Sequence, residues 1–192
     1  MTRRIWLPLA ALVVAAIQIV VLGSMVFGRA AILRDGREIT LEVKPVDPRD
    51  LLRGDYVRLG YNISSVPASV FEAEPQPQGS TPWSVYVRLR RDEQGLWQPV
   101  AARFGRPPVA PARPEDVDIR GSAWAFPSEV TQFISVDYGI ERFYLPEGEG
   151  KPIEQGLGER PFRMKIAVGE GGTAQIKAFY DGDELIYTEP VY

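Results

Sequence analysis

Residues Ile5 to Phe27 form a run of 23 positions without a charged side chain, in which only Gln18 and Ser24 are distinctly polar. Such a run leaves the backbone few choices. In lipid every N–H and C=O must be satisfied within the segment, and a single segment can do that only as a helix. At 1.5 Å per residue the run makes about 34 Å, enough for a hydrocarbon layer of roughly 30 Å. Pro8 stands near the start, where a helix tolerates it, and Trp6 suits a membrane interface. A cleaved signal peptide is the alternative, with small residues around Gly28-Arg29-Ala30-Ala31. The apolar part of a signal peptide is only about 7–15 residues, however. The pattern predicts an uncleaved anchor that meets the lipid bilayer through residues 5–27. Arg3, Arg4 and the amino terminus, with no acid among them, favour the N-terminus inside, against Arg29, Arg34 and Arg37 beyond the span.

After the anchor (residues 1–27 with the short N-terminus), residues 28–37 read as a neck and residues 38–192 as one domain. The chain has neither cysteine nor histidine. Ser–His and Cys–His catalysis, disulfides and imidazole-ligated zinc are therefore excluded within it. A metal would have to be a hard cation held by carboxylates and carbonyls; no cofactor and no metal site is assigned. Arginine outnumbers lysine 18 to 4, which a compositional bias of the genome explains more simply than anion recognition. Beyond residue 27 there are 20 basic residues (22 less Arg3 and Arg4) against 25 acidic ones, a balance of −5. A mildly acidic domain is a poor match for nucleic acid.

The domain reads as mainly β. Ile39, Leu41 and Val43 alternate with Glu38, Thr40 and Glu42, the pattern of a half-buried strand. Val85, Val87 and Leu89 alternate likewise, and Asp92–Gly95 turns the chain back towards Trp97 as a hairpin. Val117–Phe126, Phe133–Tyr138 and Glu141–Leu145 give further strands. Phe162–Val168, Ala174–Tyr180 and Leu185–Tyr187 form a meander with Asp181-Gly182 as a tight turn. Pro67–Pro82 reads as a loop with a short helical turn at Ala68–Ala73, and Arg106–Pro114 as an irregular spacer between strands. The expected fold is an antiparallel barrel or sandwich following one transmembrane helix.

The densest run of geometrically demanding residues is Asp47 to Tyr61, DPRDLLRGDYVRLGY. Asp47 suits an N-cap, Pro48 the first helical position, Asp50 the capping-box position and Gly54 the residue after a helix end. From Tyr56 the period changes to two, with Val57, Leu59 and Tyr61 on one face, so a strand is entered through Asp55. Capping and turn chemistry account for these residues without a ligand. Arg53-Gly54-Asp55 is an adhesion tripeptide in sequence, but it runs straight into a strand instead of capping an exposed loop. The residues Gly54-Asp55-Tyr56-Val57-Arg58-Leu59-Gly60-Tyr61 fit G-D-Y-x-x-L-x-Y at every specified position. The chain resembles the bacterial membrane-anchored GDYXXLXY proteins, and Tyr138-Gly139-Ile140-Glu141-Arg142-Phe143-Tyr144-Leu145-Pro146-Glu147-Gly148 is similar to that family too. The resemblance implies an anchored protein associated with multi-spanning membrane proteins, and it brings no catalytic residues. It adds to the N-in reading, which puts the anchor in a bacterial inner membrane and the domain in the periplasm.

Three functional readings are left. The first is a non-catalytic β module docking on a membrane or envelope partner, with contacts at Arg49, Arg53, Glu141, Tyr144, Glu147 and Glu154. The second is an anchored hydrolase. A Ser–Lys type would need a serine near the span and a lysine with lowered pKa, but Ser24 lies inside the apolar run and Lys44 faces solvent by alternation. A carboxylate type would pair acids among Glu141, Glu147, Glu149 and Glu154 at a few ångströms. The third is a cation or small ligand at a corner formed by Asp47, Asp50 and Asp55. Asp181, Asp183 and Glu184 do not fit a calcium loop and read as a turn.

Overall fold

The computed structural model describes residues 3–44, 56–72, 81–124, 132–144 and 160–190. The apolar run is helical as expected, but the helix is longer than the run: α1 spans Arg3–Asp35. Its apolar part stands clear of the rest of the chain, with Ile19 70% and Phe27 77% exposed. It is long and apolar enough to cross a membrane. The segment read as a neck is helix as far as Asp35, and Gly36 turns the chain directly into β1 (Arg37–Lys44). Residues 28–35 thus extend α1 by about 12 Å beyond the uncharged run.

The strands form two five-stranded antiparallel sheets. The first has the order β12 (Glu184–Thr188), β11 (Ala174–Asp181), β10 (Phe162–Val168), β1, β3 (Gly60–Tyr61). The second runs β4 (Ser65–Pro67), β8 (Phe133–Asp137), β7 (Val117–Ala123), β5 (Trp83–Arg91), β6 (Trp97–Phe104). A two-stranded ribbon joins β2 (Tyr56–Arg58) to β9 (Arg142–Tyr144). Among the described residues neither large sheet closes on itself, and the fold is a sandwich. Period-two patterning explains the layering: Ile39, Leu41, Met164, Ile166 and Phe179 from the first sheet share one core with Val85, Val87, Leu89, Ile119 and Val136 from the second.

Two features depart from the simple strand reading. Tyr56–Tyr61, expected as one strand, breaks at Leu59. Its first half pairs with β9 and its second with β1. The break has a hydrogen-bonding cause, because the Leu59 N–H donates to the Glu141 carbonyl at 2.8 Å, outside both ladders. Leu59 and Tyr61 still face inward, at 1% and 3% exposure. The proline-rich stretch 106–114, expected as a spacer, is a strap tied to Arg88. The Arg88 guanidinium donates to the Pro108 and Ala110 carbonyls, and the Ala110 N–H donates to Glu72 Oε1 at 2.9 Å.

Between α1 and the first sheet the joint is tight. Leu33 is buried at 3% exposure. Lys177 Nζ, from β11, donates to the Leu33 carbonyl at 2.9 Å and to Glu38 Oε1 at 2.6 Å, so one cation ties the helix end to β1. A Cβ on Gly36 would lie 2.3 Å from the Ile32 carbonyl oxygen, so only glycine fits there. Loop residues Pro114 and Asp116, whose carbonyls accept from Arg37, lie beside this joint, next to the start of β7. Because β5 and β7 are antiparallel, Trp83 pairs with Ala123 at the opposite end of the second sheet. There Trp83, Trp124 and Phe133 are 39%, 49% and 55% exposed, remote from the helix.

Candidate functional site

The described part of the G-D-Y-x-x-L-x-Y motif, Tyr56–Tyr61, meets the second motif-like stretch in a reciprocal arrangement. Tyr61 ends β3 and its hydroxyl donates to the Ile140 carbonyl at 2.8 Å. Tyr138 ends the strand pattern of β8 and its hydroxyl donates to the Ile63 carbonyl, also at 2.8 Å. Each segment therefore gives a phenol to the other's backbone, and the Leu59 N–H to Glu141 carbonyl bond closes the lattice. Period two puts Leu59 and Tyr61 on the inner face, and a 3-10 turn at Asn62–Ser64 then presents the Ile63 carbonyl to Tyr138. Burial, together with the nearby Glu141 charge, pushes both phenols well above their usual range. They serve as fixed donors and not as proton exchangers.

Between β8 and β9 the turn Asp137–Glu141 is built by its own acids. Asp137 Oδ1 accepts the Gly139 N–H at 2.8 Å and Glu141 Oε1 accepts the Tyr138 N–H at 2.7 Å. Gly139 has φ +78°, a conformation that favours glycine. Glu141 Oε2 is buried with no hydrogen-bond partner among the described residues. Burial is the main influence on this carboxyl. Together with the neighbouring Asp137, and against the Tyr138 N–H, it raises the group to about 7.

Asp47, Pro48, Arg49, Asp50, Arg53, Gly54, Asp55, Glu147, Glu149 and Glu154 lie outside the described residues. Tyr56 and Tyr144 pair backbone to backbone across β2 and β9. Glu141 is half-buried, with its carboxylate folded back on its own turn. Ser24 donates its hydroxyl to the Val21 carbonyl at 2.7 Å within α1, while Lys44 is the exposed last residue of β1. Asp181 pairs with Arg160 and Asp183 with Arg163, both at the meander turn. Among the described residues no group of three or more acids is placed to hold a metal ion.

A polar ladder on the outer face of the second sheet was not singled out from the sequence. Arg88 is bidentate to Asp118 and Arg90 to Asp116, each through two bonds of 2.7 Å. The Arg90 guanidinium, helped by the Arg113 N–H, holds Asp116 down at about 2. The available signal was two arginines spaced by two on one strand and two aspartates spaced by two near the start of another, a pattern that opposes charges once the strands pair.

These features define a class: a β-sandwich carried on one exposed apolar helix, with a tyrosine-latched corner where a strand changes partners. Within that class the match is specific. The model of the GDYXXLXY protein family matches residues 18–179, most of the chain, and the chain belongs to that family. No curated protein and no solved structure matches it.

Proposed function

We propose that this protein is a single-pass membrane protein of the bacterial inner membrane, N-terminus inside, whose sandwich domain works in the periplasm as a non-catalytic docking module. Its partner in this reading is a multi-spanning membrane protein or another envelope component. One observation carries the reading: an exposed apolar helix of membrane-spanning length runs without a linker into a buried joint with the sheet. A joint of that kind holds a domain at a defined height and orientation, which suits presentation of a surface to a neighbour. The described inward-facing residues of the family motif support the same reading, since Leu59 and Tyr61 are spent on packing and latching. Trp83, Trp124 and Phe133 are exposed aromatics of the kind enriched in interface cores.

The test is photo-crosslinking in native membranes, with the probe placed in turn at Trp83, Trp124 and Phe133, followed by identification of the captured protein. Capture of one membrane or envelope protein that is lost when the aromatic is replaced by alanine is the expected result. Hydrolysis of an envelope substrate by the purified chain would overturn the non-catalytic reading.

A further inference from the structure

The turn Asp137–Glu141 places two carboxyl groups four residues apart, each folded back on a backbone N–H of the same turn. One oxygen of this pair, Glu141 Oε2, is buried and has no donor among the described residues. The titratable groups that act on it among the described residues are Asp137 and the phenols of Tyr61 and Tyr138. Each phenol has a single proton, already given to the Ile140 or Ile63 carbonyl, so neither can serve Oε2. Arg142, the next residue, is exposed and engaged in an interaction of its own. A buried carboxylate oxygen facing a second carboxylate is costly to leave bare. The chemistry that resolves it is a proton on Glu141, which burial and the neighbouring Asp137 carboxyl both favour.

We propose that the Asp137–Glu141 turn is a proton-operated latch on the motif corner. With Glu141 protonated the turn is closed, and the Tyr61, Tyr138 and Leu59 bonds hold it to the strand change at Leu59–Ile63. When the proton leaves, two carboxylates share the turn with one of them half-buried, and the turn opens away from that corner. The ligand of this switch is the hydronium ion of the compartment the domain faces. The raised carboxyl of Glu141 sets the working range near neutrality. Its sign is fixed by linkage: the folded state holds the proton more tightly than the unfolded chain, so closure is complete in acid and is lost as pH rises through about 7.

Hydrogen exchange of the full chain in detergent micelles between pH 5 and 9, corrected for intrinsic rates, reads this directly. Peptides covering residues 59–64 and 137–143 are expected to lose at least tenfold protection across the range, while peptides from β5 and β10 stay constant. Glu141→Gln, which keeps a donor and cannot ionise, is expected to hold protection flat. Asp137→Asn is expected to move the transition to lower pH. A flat wild-type profile, or a Glu141→Gln profile that still titrates, overturns the proposal. Should Glu141→Gln not fold, the side-chain carboxyl carbon of Glu141 in the wild-type protein, followed by 13C NMR, decides it. A midpoint near the ordinary 4.3 of a solvated glutamate would exclude a latch, and one near neutrality would support it.

Discussion

At the scale of single residues, the phenols of Tyr61 and Tyr138 do the most specific work, because each satisfies a carbonyl in the interior. Replacing either by phenylalanine keeps the ring and deletes one donor. The unpaired carbonyl is then expected to cost about 1–2 kcal/mol, measured by urea unfolding in detergent. Both phenols hold the same two segments together, so the double variant should depart from additivity by about 0.5 kcal/mol or more. Additive losses would show that the latches act independently. The sequence put Tyr61 on the same face as Leu59, since period two follows from alternation, and the structure turns that face inward. The sequence did not announce the acceptor, because Ile140 lies 79 positions away and only the fold brings it close. Asp116 gives a second prediction. Arg90 holds its carboxyl at about 2, so it stabilises the fold at pH above its unfolded value and loses that contribution as pH falls towards 2. Asp116→Asn should therefore lower stability at pH 7 and flatten the acid limb between pH 4 and 2, as followed by circular dichroism.

Among the elements, the joint between α1 and β1 decides how the two parts of the molecule communicate. The sequence placed the helix by its missing charges and β1 by alternation, and both are found. The helix was expected to stop near Phe27 because charges return at Arg29. Charged side chains do not end a helix, however, and α1 continues to Asp35, ahead of Gly36, whose close approach to the Ile32 carbonyl needs the full tertiary context. Lys177 was likewise hidden, being an ordinary lysine in a strand until the fold sets it against Leu33 and Glu38. Lys177→Met should loosen the joint at a cost of roughly 1–2 kcal/mol, visible as faster motion of a spin label at Arg29. Gly36→Ala should be worse, on the order of 3 kcal/mol, because the clash is with backbone. Unchanged label motion in both variants would mean that the joint is held elsewhere. The strap over Arg88 teaches a related lesson. Its prolines correctly forecast irregular backbone, while its anchorage depends on carbonyls that any residue type would offer.

For the molecule as a whole, the proposed topology can be read with a single reactive group, since the chain has no native cysteine. Thr81→Cys, in an exposed position of the sandwich, should react with a membrane-impermeant maleimide in cells with permeabilised outer membranes. Thr2→Cys should react only after lysis. The reverse pattern would invert the orientation. If α1 spans the bilayer, its unbroken passage into the sheet has a mechanical result. Helices commonly tilt by about 20° to match the thickness around them, and nothing at Gly36 is free to absorb that angle. The aromatic end of the second sheet lies a strand length, about 23 Å along β7, from the joint, and the helical extension adds about 12 Å of lever. A tilt of that size would then sweep it sideways by on the order of 10 Å. Thin and thick bilayers should consequently set Trp83 at different lateral reach, so that membrane thickness itself governs which neighbours the domain can touch.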